Sequence, residues 1–201
     1  MNNLVPLLVA IPLGAGFLVP LVVRWHRRLA DLVCNLACLG LVLISLSLPG
    51  QELIYHMGAW PTPNGIDLRV DRLTTLMLLV TNGLALMVAF ASVAYIPRFT
   101  GQHQYYSLLL FLIAGTNGVV LTGDLFNLYV FMEITAIASY ALVAFAGDDE
   151  GFEASFKYTV LGGLSSSVIL IGISLVYGMT GTLNMAHLAS RLSEGGSAAP
   201  L

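Results

Sequence analysis

The chain has 201 residues, of which 57% are hydrophobic and only 9% are charged, and its net charge is −3. Soluble domains of this length carry about a quarter charged residues, so the composition excludes them and indicates an integral membrane protein. The negative net charge excludes a typical nucleic-acid-binding protein. The sequence contains no nucleotide-binding loop, haem motif or iron–sulfur cysteine pattern, so we expect no cofactor and no metal.

Six apolar runs, separated by charged residues or by proline and glycine, predict an all-α polytopic membrane protein. Each run is long enough to cross a bilayer as a helix, which needs about 20 residues. The predicted spans cover residues 3–23, 29–48, 72–96, 105–123, 125–146 and 154–178. The predicted organisation is therefore helices one and two in 1–48, an extracytoplasmic hairpin loop in 49–71, helices three to six in 72–178, and an outer amphipathic segment with a linker-like tail in 179–201.

Arginines predict the orientation of these spans. Arg24, Arg27 and Arg28 lie in the short loop between the first two spans. Short loops rich in Lys and Arg stay in the cytoplasm, so we expect this loop inside and the N-terminus outside. The prediction is a multi-pass protein of the inner (plasma) membrane.

The loop between spans two and three predicts a β-hairpin. Ile66, Leu68 and Val70 alternate with polar residues, which is strand periodicity, and residues 52–59 supply a possible partner strand. Turn residues in 60–65 separate the two. We expect the hairpin to cap helix ends at the outer surface.

Two groups of small residues predict close helix packing. Cys34 and Cys38 lie one turn apart in span two and are interpreted as packing residues, because free cysteine behaves as a small hydrophobe. The sixth span is rich in glycine and serine, which allow helix backbones to approach closely. We therefore expect it to be buried in a bundle; its small residues are Gly162, Gly163, Ser165, Ser166, Ser167, Gly172 and Ser174.

Glu133 is the strongest candidate for a functional residue. It lies near the middle of span five and is that span's only formal charge. A carboxylate at the centre of a bilayer costs about 3 kcal/mol, so it is retained where it faces protein or water, usually at a proton or ion site. The alternative is a structural carboxylate that is hydrogen-bonded to Thr135, Tyr140 or a neighbouring helix.

Lys157, the only lysine, is the second candidate for proton transfer. It lies about one turn into span six, where it either reaches the headgroup region or takes part in a relay. Glu153, four residues earlier, is placed to pair with it on one helix face. Direct contact between Glu133 and Lys157 is not expected, because Lys157 lies nearer the cytoplasmic end. Asp124 is predicted to cap the N-terminus of helix five.

The stretch from Leu121 to Ala141, LTGDLFNLYVFMEITAIASYA, resembles the antiporter-like subunits shared by respiratory complex I, Mrp-type Na⁺/H⁺ antiporters and membrane-bound hydrogenases. The outer-loop sequence GAWPTPNGIDLRVDRLT and the run FKYTVLGGLSSS support the resemblance. The opening MNNLVPLLVAIPL is most similar to the Mrp D subunit.

The resemblance implies the N-terminal six helices of a subunit with about fourteen spans that contains two inverted five-helix repeats. It also implies that Glu133 is the central acid of helix five and that Lys157 is the family's early lysine of helix six. The usual partners of that acid, lysines on helices seven and eight, are absent from these 201 residues.

Two functions follow as hypotheses. The first is a proton-translocating, cation/proton antiporter-like subunit that works with other membrane subunits and moves protons, with Na⁺ as a possible second ion. The second is a structural or assembly subunit of a complex I-like or hydrogenase complex without independent transport. The sequence favours a transporter subunit over a catalyst and leaves open whether redox chemistry elsewhere in a complex drives it.

Overall fold

A computed structural model describes residues 4–24, 29–48, 52–60, 62 and 65–193. The described residues form seven α-helices and one two-stranded antiparallel sheet. In chain order these are α1 (Leu7–Val22), α2 (Leu29–Ser47), β1 (Leu53–His56), β2 (Asp67–Val70), α3 (Arg72–Tyr95), α4 (Gln102–Leu121), α5 (Leu125–Val143), α6 (Asp149–Thr180) and α7 (Met185–Ser193).

The predicted all-α polytopic architecture with a small hairpin is confirmed. Five helices, α2 to α6, are long and apolar enough to cross a membrane. The first predicted span is also helical, but α1 is shorter, with 16 residues in the described part, and contains Pro12 and Pro20. The amphipathic segment predicted after span six contains the short helix α7, whereas the linker-like tail from residue 194 lies outside the described residues.

Helix α4 lies at the centre of the bundle. It packs against α1 and α5 most extensively and also contacts α2 and α3. Leu110, Ala114 and Leu121 of α4 are completely buried. Cys34 and Cys38 are also completely buried and do not form a disulfide, in agreement with their interpretation as packing residues.

The expectation that the sixth span is buried in a bundle is wrong for the described part of the chain. Helix α6 packs against α5 and, near its end, α7, and none of its residues is buried. Leu161, Leu164 and Leu175 expose most of their surface. The small residues permit close packing, but the described residues supply no further helix to pack on them.

A polar network that the sequence analysis missed joins α1, α2, α3 and α4. The amide nitrogen of Asn117 donates to the backbone oxygen of Leu8 at 2.9 Å and to Oδ1 of Asn82 at 3.0 Å. Asn82 in turn donates to Ser45 Oγ at 3.1 Å. All three polar side chains are fully buried. In a bilayer such bonds fix which helix faces meet, because an apolar surface alone does not distinguish neighbours from lipid.

We expect Asn117→Leu to destabilise the bundle by about 1–3 kcal/mol, because it leaves Asn82 Oδ1 and the Leu8 carbonyl oxygen without their donor. The measurement is the thermal unfolding of the purified full-length protein. Thr81→Val is the matched control, since the Thr81 hydroxyl bonds only to its own helix, at Met77 O and Leu78 O. Equal losses for the two variants would contradict a special role for the network.

The hairpin is confirmed and packs on the helix ends, as predicted. β1 pairs with β2 in the register Leu53↔Val70 to His56↔Asp67. Leu68 and Val70 are buried, and Leu68 forms a bridge to Thr122 at the end of α4. The alternation predicts that Asp67 lies on the exposed polar face of β2, and this prediction is wrong, because Asp67 is buried.

Aspartates begin three of the helices by accepting backbone N–H groups. Asp71 accepts from Thr74 N at 2.7 Å, Asp124 from Asn127 N at 2.8 Å and Asp148 from Gly151 N at 2.9 Å. The predicted cap at Asp124 is thus confirmed. The bonds from Thr74 hold the pKa of the exposed Asp71 carboxyl below its ordinary value, because they stabilise the charged form.

Candidate proton-transfer site on α5 and α6

Glu133 lies in the middle of α5. It is the ninth of the helix's 19 residues, so its Cα is about 12 Å along the axis from Leu125. Its side chain is half-buried. The helix begins at the Asp124 cap, which fixes where Glu133 lies along the axis.

One face of α5 is occupied by α4. Phe131 contacts Gly118, and Thr135 contacts Gly115. A Cβ atom added at Gly115 would lie 2.8 Å from the backbone nitrogen of Thr135 and 3.0 Å from the backbone oxygen of Phe131, so glycine is needed for this approach. Glu133 is two residues from both Phe131 and Thr135, or about 200° around the helix, and therefore lies on the side away from α4.

The side of α5 that carries Glu133 faces α6. Tyr140 follows Glu133 by two turns and lies on the same face. Its ring packs edge-on against Tyr158 of α6 with centroids 4.7 Å apart, and its backbone oxygen accepts a hydrogen bond from Ser155 Oγ at 2.8 Å. The Tyr140 hydroxyl lies against Gly162. Because long side chains in a helix point toward its N-terminus, this hydroxyl lies toward the level of Glu133.

No hydrogen bond to the Glu133 carboxylate is found within the described part of the chain. Thr135, one of the partners considered from the sequence, donates instead to the backbone oxygen of Phe131 at 2.9 Å. The structural-carboxylate alternative therefore gains no support from Thr135. A half-buried acid without an internal partner requires water or another polypeptide to satisfy it.

Lys157 does not reach Glu133. It forms an ion pair with Glu153, one turn earlier, and both side chains are exposed, at 67% and 66%. Its neighbour Tyr158 is level with Tyr140, so Lys157 lies about 10 Å from Glu133 along the helix axis. The expected separation of the two candidates agrees with this arrangement. The Tyr140 ring is level with this end of α6, and its hydroxyl, which lies against Gly162, extends toward the level of Glu133.

Sequence reasoning missed the glycines that bring α4 and α5 together. Gly115 and Gly118 are three residues apart and therefore lie on one helix face, which is a recognisable signal for close packing. The described residues contain no group of three or more His, Cys, Asp or Glu that could hold a metal ion. A carboxyl group such as that of Glu133 is chemically able to bind and release a proton.

Comparisons with known proteins show which proteins this chain is similar to. Residues 122–199, which include α5, α6 and α7, match the family model described as NADH:quinone oxidoreductase/Mrp antiporter, TM. The chain is 35% identical over 199 residues to the D subunit of the Na⁺/H⁺ antiporter from Alkalihalophilus pseudofirmus, and the match covers 96% of this chain and 40% of that protein.

Solved structures agree on the fold. A chain of the membrane-bound sulfane sulfur reductase, an archaeal respiratory membrane complex, superimposes with a TM-score of 0.88 at 38% identity, over 94% of this chain and 40% of that one. A chain of the Mrp complex from Dietzia sp. gives a TM-score of 0.79 at 33% identity, over 92% and 36%. The chain thus spans about two fifths of the length of each relative.

Proposed function

Since the chain belongs to the antiporter-like membrane subunit family shared by Mrp-type antiporters and respiratory complex I, we propose that the protein is a proton-translocating subunit of a multisubunit membrane complex. Glu133 is the group that takes up and releases the proton. The observation that carries this proposal is a half-buried carboxylate at the middle of a membrane helix, turned away from the packed α4 face and without a hydrogen-bond partner in the described residues.

The surroundings of Glu133 suit proton exchange. A positioned carboxyl group can accept and donate a proton, and the half-buried Glu133 carboxylate has no hydrogen-bond partner among the described residues. Tyr140 places a hydroxyl on the same face, between Glu133 and the end of α6 that carries Lys157. We assign Tyr140 and Lys157 to the route by which protons reach or leave Glu133.

The proposed setting is the plasma membrane, with the N-terminus and the hairpin outside and Arg24 near the cytoplasmic face. The arrangement of the helices supports a common side for the N-terminus and the hairpin, because Leu8 near the start of α1 contacts Asn117 near the end of α4 and the hairpin packs on that same end of α4. The transported ions are protons together with Na⁺, and the partners are other membrane subunits.

The alternative, a structural or assembly role, is favoured by one observation. The membrane-length helix α6 exposes apolar side chains along its whole length and packs mainly against α5, with a smaller contact to α7. Such a surface fits contact with further polypeptide. The two functions place different requirements on Glu133, because proton transport needs a titrating group at that position and a purely structural role does not.

The experiment that tests the proposal is proton flux in vesicles that contain the full-length protein in its assembled complex. Wild type is compared with Glu133→Gln at equal amounts of assembled complex. Unchanged flux would refute the proposal and favour the assembly function.

Lys157→Gln should lower the flux only moderately. An exposed ion pair four residues apart in a helix is worth about 0.3–0.5 kcal/mol, so we expect its loss to change the flux by only about twofold. The measurement is flux in the same vesicles, with Lys157→Arg as the control that keeps the charge and the pair with Glu153. A loss as large as that of Glu133→Gln would instead make Lys157 an obligatory proton carrier.

A further inference from the structure

A buried carboxylate at the hairpin end of the bundle joins segments that are far apart in the sequence. Asp67 of β2 is 1% exposed. One of its oxygens, Oδ1, lies 2.6 Å from His56 Nδ1 of β1, and the other, Oδ2, accepts a hydrogen bond from Asn184 Nδ2 at 3.1 Å. Arg69 Nη2 lies 3.8 Å from Oδ2. We call Asp67, His56 and Asn184 the Asp67 latch.

The latch continues through the backbone into the turn between α4 and α5. The Gly123 N–H donates to the Asp67 carbonyl oxygen at 2.9 Å, and the Met185 N–H donates to the Gly123 carbonyl oxygen at 2.9 Å. The Leu125 N–H donates to the Leu183 carbonyl oxygen, also at 2.9 Å. Leu125 is the first residue of α5, and Leu183 follows the end of α6. The hairpin therefore holds the start of α5 against the end of α6.

The Asn184 side chain also caps the N-terminus of α7. Its Oδ1 accepts the backbone N–H groups of Ala186 and His187, at 3.2 and 3.1 Å, and so begins α7. One amide thus caps α7 and, through Nδ2, binds the buried carboxylate. Losing either partner leaves a buried polar group unsatisfied, which favours the connected arrangement over partial opening.

The spacing of α5 and α6 at Glu133 depends on two sets of contacts between the helices, one on each side of Glu133, which we call the tie points. At one end, Tyr140 packs on Tyr158 and accepts from Ser155. At the other, the Asp67 latch and the Leu125–Leu183 bond join the helices. Glu133 lies between these points, on the face toward α6, which contributes no buried residue of its own. A change at either tie point therefore changes what faces Glu133.

We infer that Asp67 is a positioning residue for Glu133: through Asn184 it fixes the hairpin-side spacing of α5 and α6. The inference rests on the proposed function, in which Glu133 carries the proton. Asp67 itself takes no part in the proton route, since it lies at the helix ends, about 12 Å along α5 from Glu133.

The test measures spacing and transport in the full-length protein in its assembled complex. Spin labels replace Phe126 near the start of α5 and Met179 near the end of α6, which are 47% and 67% exposed, whereas the native Cys34 and Cys38 are completely buried. The wild type should give one narrow distance distribution. Asp67→Leu should broaden it and lower proton flux at least about tenfold, because small misplacements of a reacting group are costly.

Two variants serve as controls. Asp67→Asn keeps both hydrogen bonds, with Oδ1 accepting from Asn184 and Nδ2 donating to His56 in its other tautomer, so the distance should stay narrow and the flux should stay within about twofold of wild type. Glu52→Leu alters an exposed acid beside β1 and should change neither. If Asp67→Leu lowers the amount of assembled complex, Asn184→Leu, which retains the His56–Asp67 contact, is measured in the same way with the same expectation.

A narrow distribution in these leucine variants would overturn the inference, and so would a broad one with undiminished flux. The proposed function fails separately, when Glu133→Gln retains full flux. If Glu133→Gln loses flux while Asp67→Leu keeps the wild-type distance distribution and flux, the proposed function stands and Asp67 is not a positioning residue.

Discussion

Glu133→Gln should reduce proton flux through the assembled complex by at least about 100-fold while leaving the amount of complex unchanged. Glutamine keeps the size and polarity of the side chain but cannot bind and release a proton at neutral pH. Loss of a positioned proton-transfer group removes about 10²–10⁴-fold of rate. The fold should tolerate the change, because the carboxylate makes no hydrogen bond within the described residues and is only half-buried.

Two control variants test whether the effect is specific to a titrating carboxyl group at position 133. Glu52→Gln makes the same substitution at an exposed site outside the helices and should leave the flux unchanged. Glu133→Asp keeps a titrating carboxyl but withdraws it by one methylene, so flux should fall less than in Glu133→Gln. Equal flux in wild type and Glu133→Gln, at equal complex levels, contradicts the proposed role of Glu133.

Tyr140→Phe addresses the surroundings of Glu133. It removes the hydroxyl but keeps the ring that packs on Tyr158, so the helix spacing is retained. Because the hydroxyl is assigned to the proton route, proton flux should fall while the amount of assembled complex stays unchanged. If the ring alone matters, flux is retained.

The position of Glu133 along its helix could be predicted from the sequence, but its surroundings could not. An apolar run bounded by Asp124 and by the charged segment after Ala146 defines one helix and one buried acid. Which residues share its face then follows from the helical repeat. The Tyr140–Tyr158 contact and the exposure of α6 depend on how two helices pack, and the hydrophobicity of their faces does not specify this in a membrane.

The hairpin, too, could be predicted from the sequence only in part. Alternation in 66–70 predicted a strand, and a strand is present at Asp67–Val70. Alternation also placed Asp67 on the polar face, yet Asp67 is buried because Asn184, 117 residues later, supplies a partner for it. The contacts that matter most for the site are those between segments far apart in the chain, and composition and periodicity contain no information about them.

The second large effect is expected at the contact of α4 with α5. Gly115→Leu should destabilise the protein by about 1–3 kcal/mol or more, because an added side chain meets the backbone of α5. Thr135 N and Phe131 O lie 2.8 and 3.0 Å from the position of the new Cβ, and backbone atoms cannot rotate aside as a side chain can. The helix that carries Glu133 must then move as a whole.

Gly83→Leu in α3 is the matched control, since a Cβ there meets nothing within 4 Å among the described residues. Both variants exchange a mid-helix glycine for the same residue, so helix propensity changes equally and only the contact differs. Gly115→Leu should lower the thermal stability of the full-length protein and its proton flux together, whereas Gly83→Leu should retain both. Retained flux in a Gly115→Leu protein of normal stability would show that the approach of α4 to α5 does not set the position of Glu133. Loss of flux in that variant, with Gly83→Leu unaffected, would show that proton transfer at Glu133 requires the glycine contact on the opposite face of the same helix.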